Sequence, residues 1–388
     1  MNIPATPNGA PGPGAIPKKK RLASLDAFRG LTIALMIVVN CPGDPDSVFS
    51  FLGHSAWNGW TFADTVFPSF IFIVGVSLVF SFAKRDAANN TSIWENEFRV
   101  LRRTLVLFAL GLFLNIFPAF HVSNIRIPGV LQRIAICYFF TSLIVLKAGL
   151  RGRILWLIAT MASYWLMMRF IPVPGIGTGV MEPGENFASW VDSIFLKGHM
   201  WSYYDNTWDP EGIISTIPAI STTLFGVLTG QWLMSSASEG KKVAGLICAG
   251  LILLAAGSIL DYWMPINKSI WTSSFSIFMA GLALVFLAIF HLFIDVVGIS
   301  GWAKPFIILG LNPITIYVLS QILDNSLRSM DLIISKGNRM TCQDFLFHQF
   351  CIPYAEAKTA SLLYALGILI CMLLVAWIMW RKRLFIKV

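Results

Sequence analysis

The stretch from residue 54 to residue 75, HSAWNGWTFADTVFPSFIFIVG, places a histidine and an aspartate immediately before a long apolar run. An imidazole has a reference pKa of about 6.5, so His54 can accept or donate a proton at neutral pH. His54 could equally be a surface histidine without a catalytic role. Asp64 could take part in chemistry, and it could equally stabilise the N-terminus of the helix that follows. Both interpretations of each residue are open at this point.

Polar side chains inside an apolar run need a partner or a function, because they are costly in hydrocarbon. Asp26 and Arg29 lie one helical turn apart near the start of the first run, and this spacing predicts a structural ion pair. Asn40 closes the same run. Within RIPGVLQRI, Gln132 and Arg133 lie at membrane depth. Arg133 requires a carboxylate or an anionic ligand, and the scarcity of acids in the runs leaves both partners open.

The segment YYDNTWDPEG ends just before another apolar run. Asp209 and Pro210 predict a helix N-cap followed by a proline at the first helical position. Glu211 is an acid in the first turn, which is common, but the capping pattern does not require it.

Aromatic and amide side chains surround these charged residues in the loops. Trp57, Asn58, Trp60 and Trp208 all fall outside the apolar runs or at their edges. Tryptophan is typical of the interfacial belt of membrane proteins. Aromatic rings beside Asn, Asp and Glu also suit the faces and hydroxyls of a sugar.

The elements that position these residues are predicted by composition, since 56% of the residues are hydrophobic and only 13% are charged. A helix of about 20 apolar residues crosses a hydrocarbon core of about 30 Å. The sequence therefore predicts an all-α integral membrane protein, a bundle of about ten transmembrane helices. The runs are 22–41, 60–83, 99–120, 126–147, 153–171, 213–235, 243–263, 271–294, 304–323 and 360–381. The run 304–323 is the least regular, because Pro305, Asn312 and Pro313 interrupt it.

Basic residues are distributed unevenly between the two sides of these runs. With the N-terminus in the cytoplasm, 19 basic residues fall on the inner side and 8 on the outer side. This bias predicts that both termini are cytoplasmic. The net charge of +9 then follows from topology and contact with inner-leaflet lipid, and no nucleic-acid partner is needed to explain it.

The chain divides into a tail and one membrane domain. Residues 1–20, rich in Pro and Gly, predict a disordered cytoplasmic tail, and residues 21–388 form a single transmembrane domain with long outer loops at 172–212 and 324–359. Cys342 and Cys351 share the second loop, where a disulfide and two free thiols are both compatible with the spacing. No cysteine pair has metal-ligand spacing, so no metal is expected.

Seven blocks occur in a fixed order along the chain. They are RLASLDAFRGLTIALMIVVN, HSAWNGWTFADTVFPSFIFIVG, RIPGVLQRI, YDNTWDPEGIISTIPAI, PINKSIWTSSF, LGLNPITIYVLS and RKRLFIKV. The set resembles the heparan-α-glucosaminide N-acetyltransferase family and its bacterial relatives, over nearly the whole chain from residue 21. The resemblance implies a membrane acyltransferase that takes an acetyl group from cytosolic acetyl-CoA and delivers it to an amino sugar on the other side. It also implies ten spans here rather than eleven.

The resemblance carries residue roles to matching blocks. His54 matches the family's active-site histidine, and Asn40 matches an asparagine at the end of the preceding span. Asp209 with Glu211, and Asn267 with Lys268, lie in matching blocks and are expected to bind substrate, as are Trp57, Asn58 and Trp208.

In the implied reaction His54 is the base that accepts the proton of the acceptor amine. Asn40 would donate to the oxyanion, and Asp64 or Glu211 would orient the imidazole or the sugar. Direct transfer and an acetyl-histidine intermediate both remain open.

Acetyl-CoA is expected to enter from the inner side through a cavity between the spans. Arg133 and Gln132, with the basic residues Lys84, Arg85 and Arg103, are the predicted contacts for its phosphates or its pantetheine arm.

These expectations place the protein in a bacterial inner membrane, with His54 facing the periplasm. The predicted partners are acetyl-CoA, an amino sugar or another glycan, and membrane lipid, with a homodimer left open. A polytopic transporter, or a lipid- or glycan-binding membrane protein without acyl transfer, is the competing class. An O-acetyltransferase would share the mechanism and differ in its acceptor.

Overall fold

A computed structural model describes residues 22–86, 92–121, 123–334 and 338–386, so the predicted tail 1–20 lies outside the described residues. The fold is mostly helical. Its helices are α1 (Ala23–Asn40), α2 (Val66–Asp86), α3 (Ile93–Ile116), α4 (Val130–Lys147), α5 (Leu150–Phe170), α6 (Phe187–Phe195), α7 (Thr216–Met234), α8 (Glu239–Leu260), α9 (Ser273–Phe290), α10 (Lys304–Leu311), α11 (Pro313–Ser329), α12 (Cys342–Phe350) and α13 (Ala357–Arg381).

Each of the ten predicted runs coincides with a helix or, for 304–323, with a pair of helices. Among the described residues, six helices are long and apolar enough to cross a membrane, and seven if the bent pair α10 and α11 counts as one span. The all-α membrane class is supported by these spans, whereas the count of ten and the cytoplasmic position of both termini stay predictions.

The interruption predicted in the run 304–323 is a sharp break. Helices α10 and α11 meet at an angle of 87°. Asn312 stands between them, followed by Pro313, which has no backbone N–H for the i→i−4 ladder. The Asn312 amide donates to the Leu384 carbonyl (3.0 Å) and accepts from the Ile386 N–H (2.8 Å), so the residues after α13 satisfy the polar groups at the break.

Close helix contacts in the bundle depend on glycine. A side chain on Gly75 of α2 would overlap the Thr223 carbonyl of α7, and one on Gly226 of α7 would overlap the Phe72 carbonyl of α2. In a membrane the hydrophobic effect does not drive helices together, because lipid tails are as apolar as the side chains. Small residues let the backbones approach closely enough to pack instead. The α2–α7 contact fixes two elements whose ends carry site residues.

The loops at one end of the bundle contact one another. We call this the cavity end, because the cavity described below opens there. The α1–α2 loop reaches the α8–α9 loop through His54 and Lys268, and the α3–α4 loop reaches the segment before α7 through Arg126 and Asp209. At the opposite end, Asp295, which follows α9, accepts the N–H groups at the start of α1. The Asp26–Arg29 ion pair predicted near that end is confirmed at 3.2 Å.

The two long loops predicted from the sequence contain structure of their own. The first carries α6 and a 3₁₀ turn at Ser202–Tyr204. The second carries an antiparallel hairpin of β1 (Asp331–Ile334) and β2 (Asn338–Thr341), followed by α12. Cys342 and Cys351 are free thiols, so the disulfide that their spacing left open does not form in this structure.

Candidate active site

Backbone pairing between two loops brings His54 and Lys268 together, although 214 residues separate them. The Gly59 N–H donates to the Ile266 carbonyl (2.7 Å), and the Asn267 amide donates to Asn58 Oδ1 (3.2 Å). Gly59 has φ +88°, a left-handed conformation that favours glycine. Asn58 and Asn267 thus join the loops, and neither lines the cavity described below.

His54, Asp64 and Lys268 form a contiguous cluster. The His54 Nδ1–H donates to Asp64 Oδ1 at 2.8 Å. Lys268 Nζ lies 3.2 Å from the same carboxylate oxygen, 2.9 Å from His54 Nδ1 and 3.2 Å from His54 Nε2. Because the carboxylate can only accept, Nδ1 carries the ring proton and Nε2 keeps its lone pair. The His54 side chain is 49% exposed, whereas the Asp64 carboxylate is fully buried.

Asp64 is held by donors from its own loop. Its Oδ2 accepts the N–H of Ser55 (3.0 Å) and both the N–H (2.9 Å) and hydroxyl (3.1 Å) of Thr61. It lies in a 3₁₀ turn, Ala63–Thr65, directly before α2. The carboxylate therefore organises the loop and contacts the imidazole at the same time. The hydrogen bonds described here join it to the loop before α2 rather than to the first N–H groups of that helix, and its role in chemistry stays a prediction.

A cavity of about 180 Å³ opens beside this cluster. Three of its lining residues are the predicted catalytic residues Asn40, His54 and Asp64, and two are the predicted substrate residues Glu211 and Lys268. The remaining lining residues are Met36, Val39, Ser55, Ala63, Val66, Phe67, Arg126, Val130, Trp201, Tyr204, Pro210 and Ser269. Binding pockets for drug-sized ligands are about 300–1,000 Å³, so this cavity suits a small acyl group and the acceptor atom rather than a whole nucleotide.

Arg126 is a site residue that sequence reasoning missed. Its guanidinium holds Asp209 through two hydrogen bonds (2.7 and 2.8 Å) and donates to Glu211 Oε2 at 2.6 Å. Burial lowers the pKa of Arg126, but Asp209 and Glu211 outweigh this effect and raise it overall. The signal was present, since two acids in YYDNTWDPEG needed a cation and RIPGV offered one on the same predicted side.

The N-cap predicted for Asp209 is wrong. Helix α7 begins at Thr216 with Ser215 before it, seven residues after Asp209. Asp209 instead pairs with Arg126 and accepts the N–H groups of Trp201 (2.9 Å) and Glu211 (3.0 Å). A tertiary ion pair has taken the carboxylate that the local pattern assigned to a helix end.

Aromatic rings form one wall at the mouth of the cavity. Trp57 and Trp208 meet edge to face at 5.1 Å, and Tyr204 stacks on Trp208 at 3.9 Å. Trp201 lies under the guanidinium of Arg126, 4.8 Å from its carbon. The predicted residues Trp57 and Trp208 contact each other but do not line the cavity, whereas Trp201 and Tyr204 do. Burial raises the pKa of Tyr204 to about 12.

Two buried side chains form hydrogen bonds to the turn that carries Glu211. Asp192 of α6 accepts the Ile213 N–H at 2.9 Å, and Arg133 Nη2 donates to the Gly212 carbonyl at 3.2 Å. Asp192 is 2% exposed. Burial raises its pKa to about 7, and the nearby charge of Asp209 adds to that shift.

The residues predicted to hold acetyl-CoA do not line the cavity. Arg133, at the first turn of α4, donates to Ser215 and lies over the Trp271 ring at 5.0 Å. Its Nε and Nη1 are buried with no hydrogen-bond partner among the described residues. Gln132 packs against α3, with its Nε2 likewise unpaired among them.

The other three predicted contacts lie further along the bundle. Arg103 lies over the Tyr138 ring at 4.7 Å. Lys84 is exposed near the C-terminal end of α2, and the side chain of Arg85 lies outside the described residues. The structure therefore brings Arg133 to the turn before α7, away from the predicted group of basic residues.

The arrangement can perform proton transfer at an accessible nitrogen. With the ring proton on His54 Nδ1 beside Asp64, the lone pair of Nε2, which lies 3.2 Å from Lys268 Nζ, can accept a proton. The Asn40 amide and the Lys268 ammonium line the same space and can donate to a developing oxyanion. Burial lowers the pKa of Lys268, and the charge of Asp64 offsets this shift only in part.

Comparison with known proteins finds similarity to one family. A family model described as "Heparan-alpha-glucosaminide N-acetyltransferase, catalytic" matches residues 21–188. The chain is 26% identical over 423 residues to heparan-alpha-glucosaminide N-acetyltransferase of Mus musculus, covering 95% of this chain and 60% of the relative. It is 29% identical over 367 residues to the Homo sapiens protein of the same name, covering 79% of this chain and 53% of the relative. This chain thus spans little more than half the length of these relatives. These matches support the family predicted from the sequence, and the chain is similar to the heparan-alpha-glucosaminide N-acetyltransferases.

Proposed function

We propose that this chain transfers an acetyl group from acetyl-CoA to the amino group of a sugar or glycan at the cavity end. The family relationship supports the reaction class. The observation that carries the proposal is the hydrogen bond from His54 Nδ1 to the buried Asp64 carboxylate, which leaves Nε2 at the edge of a cavity. Such a nitrogen is what a general base requires.

In the proposed direct transfer, the acceptor nitrogen attacks the thioester carbonyl and loses its proton to His54 Nε2. The N–C bond forms, the C–S bond breaks, and the proton passes on to the leaving thiolate. Asn40 and Lys268 stabilise the carbonyl oxygen as its charge develops, an effect of about 2.7–4 kcal/mol per well-placed donor in other enzymes. An acetyl-histidine intermediate would use the same nitrogen as nucleophile.

The small cavity requires that the nucleotide part of the donor bind elsewhere. Lys84, Arg85 and Arg103 remain our proposed phosphate contacts, because these positions lie in α2 and α3 towards the opposite end. Two guanidinium nitrogens of Arg133, Nε and Nη1, are buried without a hydrogen-bond partner among the described residues, and Arg133 is our proposed contact for the pantetheine arm.

The proposed location is a bacterial inner membrane, with both termini cytoplasmic and the cavity end facing the periplasm. The excess of basic residues on the inner side supports this orientation. In a cysteine-free background, an impermeant thiol reagent should modify a Ser50→Cys variant and spare a Ser236→Cys variant in intact cells. The reverse labelling would contradict the orientation.

Acceptor profiling tests the reaction. Purified protein with acetyl-CoA should release CoA when glucosamine is present and remain silent with N-acetylglucosamine, because only glucosamine carries a free amine. Transfer to both sugars would indicate O-acetylation. No release with any acceptor, together with no thermal stabilisation by CoA or acetyl-CoA, would contradict the enzyme and favour a transporter or glycan-binding protein.

A further inference from the structure

Lys268 places a primary amine inside the proposed acetyl-transfer site. Its Nζ lines the cavity and lies 2.9 Å from His54 Nδ1 and 3.2 Å from His54 Nε2. The side chain is 17% exposed, so the amine faces the cavity with little access to bulk water. A thioester placed beside His54 would therefore lie close to this amine.

We infer that Lys268 is an internal acetyl acceptor, and that the site acetylates its own lysine when acetyl-CoA is present and no glycan occupies the cavity. This inference rests on the proposed function, since it uses the same donor and the same base. It adds a modification site and a chemical state of the enzyme to that function.

The step balances with acetyl-CoA as the only co-reactant. The lone pair of neutral Lys268 Nζ attacks the thioester carbonyl, so that a C–N bond forms and the C–S bond breaks. The amine proton passes to His54 Nε2 and then to the thiolate, which leaves as CoA thiol. The products are an N-acetyl-lysine and CoA, and no oxidant or metal is involved.

The environment of Lys268 favours the neutral amine that this step needs. Burial lowers the pKa of Lys268, so a larger fraction is neutral at a given pH than for a solvated lysine. Asp64, 3.2 Å away, opposes the shift by favouring the ammonium. The rate of self-acetylation should therefore rise with pH as the ammonium loses its proton.

Other lysines at the cavity end provide an internal comparison. Lys197 and Lys358 are exposed, and no contact with a histidine is found for either among the described residues. Uncatalysed acetylation by a thioester would modify such exposed amines first. Selective modification of the less exposed Lys268 would therefore report catalysis by the site.

Acetylation of Lys268 would change the site. The amide product is neutral, so the charge interaction with Asp64 is lost, and the added acetyl group occupies part of a cavity of about 180 Å³. Because an amide does not return its acyl group, the modified enzyme should accumulate and transfer acetyl groups to the glycan more slowly. Glycan in the cavity should protect Lys268.

The experiment incubates the purified full-length protein with acetyl-CoA alone and maps acetylation by peptide mass spectrometry. The expected result is a single dominant acetyl group on Lys268, formed faster at higher pH and suppressed by glucosamine. His54→Gln should slow the labelling of Lys268 at least about 10²-fold, the low end for loss of a positioned base. Lys268→Arg retains the cation and removes the nucleophile, so it should leave no dominant site.

Two results would overturn the inference. Labelling of Lys197 and Lys358 at the rate of Lys268 would mean uncatalysed chemistry, as would labelling of Lys268 at an unchanged rate in His54→Gln. Acceptor turnover by the same preparation separates this inference from the proposed function. Turnover without any Lys268 label refutes only self-acetylation, whereas absence of both refutes the transferase as well.

Discussion

Two histidines bonded to carboxylates stand at opposite ends of the bundle, and they are held differently. His54 has one carboxylate partner, Asp64, and its side chain is 49% exposed beside a cavity. His291 has its Nδ1 3.2 Å from Asp295 and its Nε2 2.8 Å from Glu239, and its side chain is 2% exposed. The His54 ring contacts one carboxylate and lies beside the cavity, whereas both ring nitrogens of His291 contact carboxylates.

The environment of His291 explains the difference. It lies in a π-helical turn, His291–Val296, that continues α9. Asp295 of this turn also accepts the N–H groups of Ala23 and Ser24, each at 3.2 Å, at the start of α1. A carboxylate at a helix N-terminus satisfies donors that would otherwise be unpaired. The same pair of side-chain types therefore joins three helices at one end and opens onto a cavity at the other.

The largest effect that would test this comparison is on turnover at His54. His54→Gln preserves a similar shape and some hydrogen bonding, but the amide cannot take a proton. We expect acetyl transfer to fall at least about 10²-fold, with the melting temperature in detergent nearly unchanged. Raising the pH should recover part of the rate with amine acceptors, because the acceptor then loses its proton to solvent. Normal turnover of the folded variant would remove His54 from the mechanism.

The next effect is on stability, at His291. His291→Gln cannot bond to both Glu239 and Asp295 with the geometry of the ring, and leaving a buried group unsatisfied costs about 1–3 kcal/mol. We expect a lower melting temperature and unchanged turnover per folded molecule. His121→Gln, at an exposed position, is the matched control and should change neither quantity. Loss of turnover in folded His291→Gln would contradict the division of roles between the two ends.

The sequence predicts the elements of this fold well, because apolar length alone marks a membrane helix. Helix α4 ends at Lys147, where the predicted run ends, and the break at Asn312 falls within the run that Pro and Asn interrupted. The helix that follows YYDNTWDPEG was misplaced at its start. Asp209 there pairs with Arg126, 83 residues away, and no local pattern encodes that choice.

The candidate site was predicted only in part, because contacts between distant loops cannot be read from a local pattern. Residue type and block order identify His54, Asn40 and Asp64, all of which line one cavity. The contact of His54 with Lys268 depends on loop pairing through Gly59 and Ile266, which periodicity does not reveal. Arg133 was predicted to need a carboxylate or an anionic ligand, because it is a charge at membrane depth. Its partners are a carbonyl, a hydroxyl and an aromatic ring rather than an acid.

The narrowest effect is confined to a pH window and concerns Asp192, which sharpens the comparison because its buried carboxylate has no histidine partner among the described residues. Its folded-state pKa is about 7, whereas a solvated aspartate titrates near about 3.9. The folded protein therefore holds a proton that the unfolded chain releases between these values. The resulting stability is fully present below the unfolded pKa and is lost as the pH rises towards and through about 7.

Asp192→Asn tests this contribution directly. The amide oxygen can still accept the Ile213 N–H, and it carries no charge to bury. Unfolding measured in detergent between pH 5 and pH 8 should show a fall in wild-type stability with rising pH, at most about 1.4 kcal/mol per pH unit and levelling above pH 7. The variant should lose that part of the slope while keeping the Glu211 turn in place. An unchanged slope would mean that Asp192 is ionised throughout, held by the charge of Arg133, and that the turn beneath the cavity is built on an ion pair like the one between Arg126 and Asp209.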